Sequence, residues 1–128
     1  MSQENVDVVR EVWQAYVSGD FEHIRTLSDP HVVVVSLEDG PAYGIEAVGV
    51  HHERWREAWK ESETTVEEVL DVGDHVFVMA TFRARGRASG VDVEGRHFEV
   101  YTLRNRKILH VEEFGDRASA LEAAGLQE

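Results

Sequence analysis

The segment Arg96–Phe114, RHFEVYTLRNRKILHVEEF, reads as two strands joined by a turn at Asn105-Arg106. Polar turn residues between two runs of β-branched and aromatic residues mark a hairpin. Folded at that turn, Leu103 faces Ile108, Tyr101 faces His110, Glu99 faces Glu112, and His97 faces Phe114. One face of the hairpin then carries two glutamates directly opposed, beside a tyrosine and two histidines. Like charges facing each other across strands are unfavourable. Either that face meets water, or a site there uses the acids. The opposite face, Phe98, Val100, Thr102, Leu109 and Val111, is more apolar.

Outward from the hairpin, TTVEEVLDV, HVFVMATFRARGR, VDVEGRHFEVYTLR and KILHVEEF make four strand-like segments. Turns at Gly73-Asp74, Ser89-Gly90 and Asn105-Arg106 separate them. DRASALEAAGL follows as a short helix, capped by Asp116 and stopped by Gly125. Toward the N-terminus, the spacing of Val6, Val9, Trp13, Tyr16 and Val17 predicts a helix over Ser2–Ser18. A second short helix covers Phe21–Leu27, and Asp29-Pro30 breaks it. The β-branched run His31–Leu37 is a buried strand, and Glu38–Gly44 is a turn-rich loop. Residues 45–60 form a third helix, with Ile45, Val48, His52, Trp55 and Trp59 along one face. Helices segregated from an antiparallel meander specify an α+β fold. We expect one domain over residues 1–128: a cone-like, curved, mostly antiparallel sheet. Three N-terminal helices lie on its concave face, and a short C-terminal helix completes it.

The balance of residues narrows the functional classes. A formal net charge of −12 disfavours nucleic acid and anionic membranes, since phosphate binding needs clustered Lys and Arg. The absence of cysteine removes thiolate nucleophiles, disulfides and Cys-ligated zinc, and fits a reducing cytoplasm. No apolar run approaches the roughly 18–20 residues of a membrane span. His51-His52-Glu53 is not a metal motif, because helical neighbours point about 100° apart and no H-x-x-x-H or H-E-x-x-H occurs. No metal site and no cofactor are expected. Gly-rich phosphate loops and G-x-S-x-G are absent.

The pieces YVSGDFEHIRTLSDPHVVV, GIEAV and LRNRKILHVEEFGDRASALEAAGL, in this order, resemble the SnoaL-like branch of the nuclear transport factor 2-like superfamily. The resemblance spans essentially the whole chain. It implies the cone-like fold, and a homodimer through the sheet of the kind common in the superfamily. This fold hosts isomerases, cyclases, dehydratases, epoxide hydrolases and non-enzymatic binders, so it leaves the activity open. In ketosteroid isomerase-like members an acid stands at or near the position of Glu99. Their helix tyrosine falls roughly at Val12-Trp13 and their strand aspartate roughly at Val35, so steroid isomerase chemistry is not supported. The polyketide cyclases of the branch use an Asp and His pair, for which Glu99 with His110 can stand in. The Asp-Arg-Asp set of the epoxide hydrolases is not found.

Glu99, Glu112 and His110 are therefore the catalytic candidates. Two carboxylates in a partly dry site cannot both ionise cheaply, so one has a raised pKa and the pair can act as acid and base. His110 can shuttle a proton near neutrality. Trp13, Tyr16, His52, Trp55, Trp59, Tyr101 and Phe114 are candidates to line a pocket for a small apolar molecule. The alternatives are a wet glutamate face, or glutamates neutralised by Arg83 or Arg85. The apolar opposite face is either a dimer interface or the interior of the fold. Three functions follow: a cofactor-independent cyclase, isomerase or dehydratase; a non-catalytic binding or accessory protein; or a structural dimer with a filled interior.

Overall fold

The computed structural model describes residues 2–126. Its elements run α1 (Ser2–Ser18), α2 (Phe21–Thr26), β1 (Ser28–Ser36), β2 (Gly40–Tyr43) and α3 (Ile45–Glu57). Then follow β3 (Trp59–Val72), β4 (His75–Gly86), β5 (Asp92–Arg104), β6 (Lys107–Phe114) and α4 (Arg117–Ala124). One mostly antiparallel sheet has the order β2-β1-β6-β5-β4-β3, with β1 and β6 parallel. This is the expected α+β architecture, a curved sheet that does not close on itself.

Two apolar clusters sit on opposite sides of the sheet. On the concave side Val9, Val12 and Trp13 of α1, Ile24 of α2 and Val48 of α3 meet Val76, Val78, Tyr101, Leu103, Ile108 and Val111. The strand alternation of period two puts these residues on one face. On the convex side Phe77, Phe98 and Val100 are covered by Ala120, Leu121 and Ala124 of α4. The helix is fixed there by its own sequence. The Asp116 side chain accepts from the Ser119 N–H at its start, Gly125 ends it at φ +92°, and Arg117 binds Glu68 through both terminal guanidinium nitrogens while lying over the Phe77 ring. The apolar convex face is thus covered in part by the chain itself, through α4.

Three boundaries differ from the sequence reading. Glu38–Gly44 contains the short edge strand β2, paired with β1, because Gly40 takes φ +72° and turns the chain back on itself. The β1 strand begins at Ser28 and runs through Asp29-Pro30. The third helix stops at Glu57, and Trp59 opens β3. Arg87, in the β4–β5 connection, causes that stop. Its amide donates to the Ala58 carbonyl, and its guanidinium donates to the carbonyls of Glu57 and Trp59. Carbonyls that lack an intrahelical partner are thereby satisfied from a distant part of the chain.

The hairpin turn forms as expected, with Asn105 and Arg106 at φ 53° and 63°. One step beyond it the register changes. Leu103 pairs with Ile108, but Thr102 pairs with His110, leaving Leu109 as an extra residue. A β-bulge of this kind shifts every later pair by one. Glu99 therefore faces Glu113, Val100 faces Glu112, and Phe98 faces Phe114.

Candidate active site

The bulge decides which side chains enter the concave side. His97, Glu99 and Tyr101 of β5 point toward the helices, as do Val111 and Glu113 of β6. His110, Glu112 and Phe114 point the other way, and Phe114 packs at the margin of the α4 cluster. The expected grouping of Glu99 with Glu112 and His110 is corrected accordingly: Glu113 and His97 take those places. Val111, expected on the apolar opposite face, is in the concave core for the same reason.

A cavity of about 150 Å³ lies between α1, α3 and the sheet. A cavity of that volume can hold a benzene-sized molecule. Trp13, Tyr16, His52, Trp55 and Tyr101 line it, where the sequence reading expected them. Trp59 does not. It stands behind the wall in a ring cluster with Trp55, Phe82 and His97. The remaining polar lining includes Glu38, His51, Thr64 and Ser36, which the sequence reading did not single out.

At the floor, the Tyr101 hydroxyl donates to Oε1 of Glu99 at 2.8 Å. Next to them, Nδ1 of His97 and Oε2 of Glu113 lie 2.7 Å apart, with both side chains about one-fifth exposed. The amide of Leu37 donates to the other Glu113 oxygen at 3.0 Å. Burial pushes the Glu99 carboxyl up to about 6, against the pull of His97 and the Tyr101 bond, and the Glu113 charge adds to the rise. Burial also acts to raise Glu113, but its bonds from His97 and Leu37 and the nearby imidazoles outweigh that and hold it low. For His97, burial acts downward, while the Glu113 bond and the charges of Glu99, Glu113 and Glu38 lift its pKa above the ordinary value. Two neighbouring carboxyls thus have pKa values driven apart, which is the arrangement that separates an acid from a base.

The walls reinforce this polarity. Burial, and then His51 and Arg56, hold His52 down to about 4, so it is neutral at pH 7. It contacts Tyr16 and Phe21 edge-on. Burial and the Glu99 charge push the Tyr16 phenol up, so it stays protonated and can donate. Arg83 and Arg85 do not neutralise the site, since they pair with Glu94 and Asp92 at the exposed strand ends. Among the described residues His97, Glu99 and Glu113 bring one donor atom each to within 4.8 Å of one another. A small cation can reach all three, although Nδ1 of His97 is engaged by Glu113.

The SnoaL-like domain family model matches residues 9–111. The chain belongs to the SnoaL-like domain family. Solved structures agree with that membership in fold. A proposed SnoaL-like polyketide cyclase from Jannaschia has a TM-score of 0.83 at 20% identity, with 99% of this chain and 95% of that chain covered. An NTF2-like protein of unknown function from Burkholderia pseudomallei has a TM-score of 0.80 at 18% identity, with 93% and 95% covered. AclR, a proposed hydroxylase from Streptomyces galilaeus, has a TM-score of 0.75 at 18% identity, with 98% of each chain covered. No curated protein matches the chain in sequence. Among the described residues of this SnoaL-like protein, no helix is long and apolar enough to cross a membrane.

Proposed function

We propose that this SnoaL-like protein binds a small, mainly apolar molecule in the cavity and performs cofactor-independent acid–base chemistry of the cyclase, isomerase or dehydratase kind. The observation that carries the reading is the separation between Glu99, raised to about 6, and the adjacent Glu113–His97 pair. At pH 7 Glu99 is mostly ionised and unmatched by a direct cationic contact, so it is the general base. His97, raised and held by Glu113, supplies the returning proton. The Tyr16 hydroxyl is placed to steady oxygen on the substrate.

The test is deuterium uptake at the α-carbon of a panel of enolisable aryl ketones in D2O, followed by NMR. The wild-type chain is expected to exceed the buffer rate on at least one of them. Glu99→Gln is expected to lose about a hundredfold or more of that excess. Equal rates in buffer, wild type and variant would remove the enzymatic reading.

The rival reading, a ligand carrier without turnover, is favoured by the predominance of Val, Ile and aromatic side chains in the cavity wall. It predicts binding without uptake. A homodimer through the convex face belongs to both readings. Leu70, Val72, Met79 and Phe114 are only partly covered beside α4, and light scattering that reads the mass of one chain would exclude it.

A further inference from the structure

The wall of the cavity is unbalanced in charge. Glu38, Glu99 and Glu113 line it, and among its lining residues there is no Lys or Arg. The guanidinium of Arg56, which acts on Tyr16 and His52, is turned to the Tyr16 carbonyl at 3.0 Å. His97 is taken up by Glu113, and His51 stands 3.4 Å from Asp39. With both imidazoles protonated the three lining carboxylates still leave the wall negative. Glu99 has the neutral Tyr101 hydroxyl as its direct hydrogen-bond partner, and the imidazole within 4.8 Å of it, His97, is bound to Glu113. A carboxylate partly withdrawn from water is costly unless a cation meets it. The rings of Trp13, Tyr16 and Trp55 line the same space, and aromatic rings attract a cation that has shed its water. The Tyr16 phenol lines the same cavity, and its oxygen can accept from an N–H group.

We infer that the ligand of this cavity is an organic cation: a compact apolar body bearing a protonated amine or a quaternary ammonium group, seated with its charge against Glu99. The inference rests on the cavity being a ligand site, as proposed above, and adds the sign of the ligand's charge. An anionic ligand would meet three carboxylates, with no guanidinium or ammonium among the described lining residues to receive it. A neutral ligand would leave Glu99 as it is.

Three probes of matched shape test this: benzylamine, benzyl alcohol and benzoate, titrated into the full chain at pH 7.5 with binding read by calorimetry and saturation-transfer NMR. Benzylamine is expected to bind at least about tenfold more tightly than benzyl alcohol, and benzoate not at all. The advantage of the amine should vanish in Glu99→Gln and shrink at pH 5, where Glu99 takes up a proton. Folding of the variant is checked by circular dichroism. Equal binding of amine and alcohol, or preference for benzoate, overturns the charge assignment while leaving the cavity as a ligand site. Binding of none of the three overturns both. Tight uptake of Zn2+ that shuts out benzylamine would also overturn it, because the carboxylates would then serve a metal.

Discussion

The hydroxyl of Tyr101 donates a 2.8 Å hydrogen bond to Oε1 of Glu99, two residues earlier on the same face of β5. Burial pushes both groups up, Glu99 to about 6 and Tyr101 well above its ordinary value. The bond opposes the rise in Glu99, since a donor stabilises the carboxylate more than the acid. Tyr101→Phe is therefore expected to move the Glu99 midpoint above about 6 and to cost about 1 kcal/mol of stability. Carbon-13 NMR titration of the side-chain carboxyl reads the first, and denaturant unfolding the second. A midpoint that stays put or falls would contradict the role given to the bond.

Glu99 itself destabilises the folded chain at neutral pH. Its folded pKa, about 6, lies above the ordinary 4.5. A raised carboxyl contributes stability that is complete below 4.5 and is lost as pH rises through 6. Glu99→Gln keeps the shape and the acceptor for Tyr101 but removes the charge. We expect the variant to be more stable than wild type at pH 8, on the order of 2 kcal/mol from 1.36 kcal/mol per pKa unit. The difference should close on going to pH 4.5. Thermal melts across that range decide it, and a variant less stable at pH 8 would refute it.

The His97–Glu113 pair has a window of its own. His97 is raised, so its contribution is complete below 6.5 and is lost as pH rises through its folded value. Glu113 is lowered, so its contribution is complete above 4.5 and is lost as pH falls through its folded value. The pair stabilises most between those two folded values. His97→Gln is expected to cost about 2 kcal/mol near pH 6 and less at pH 9, the cost of leaving a partly buried carboxylate without its cation. Urea unfolding at the two pH values measures this.

The bulge at Leu109 makes a prediction that separates adjacent residues. Glu112→Gln and His110→Asn lie on the convex face and should change stability by less than about 0.5 kcal/mol. They should leave the Glu99 midpoint alone. Glu113→Gln, one residue along, should lower the pKa of His97, because it removes the bond and the charge that raise it. Nitrogen-15 spectra of the imidazoles report this directly. If Glu112 rather than Glu113 controls His97, the register is wrong.

The element order, the Asn105-Arg106 turn, the Asp116 cap and the Gly125 stop were all legible in the chain. Each depends on periodicity or on one residue's local chemistry. The split of β5 into a polar and a more apolar face was legible too, but which of the two is concave was not: Glu99 and Tyr101 line the cavity together with Trp13, Tyr16, His52 and Trp55 from the helices. The partner acid was not. Glu112 and Glu113 are neighbours of identical type, and a strand of period two assigns them to opposite faces only once the register is known. That register hangs on one extra residue, Leu109, which has no glycine or turn residue to announce it. The end of α3 was likewise settled by Arg87, some thirty residues away. Spacing along the chain therefore determined which elements form and which face of β5 is polar. Long-range pairing alone decided which carboxylate and which histidine meet Glu99, because a bulge is set by how two strands fit against the rest of the sheet rather than by the residues within either one.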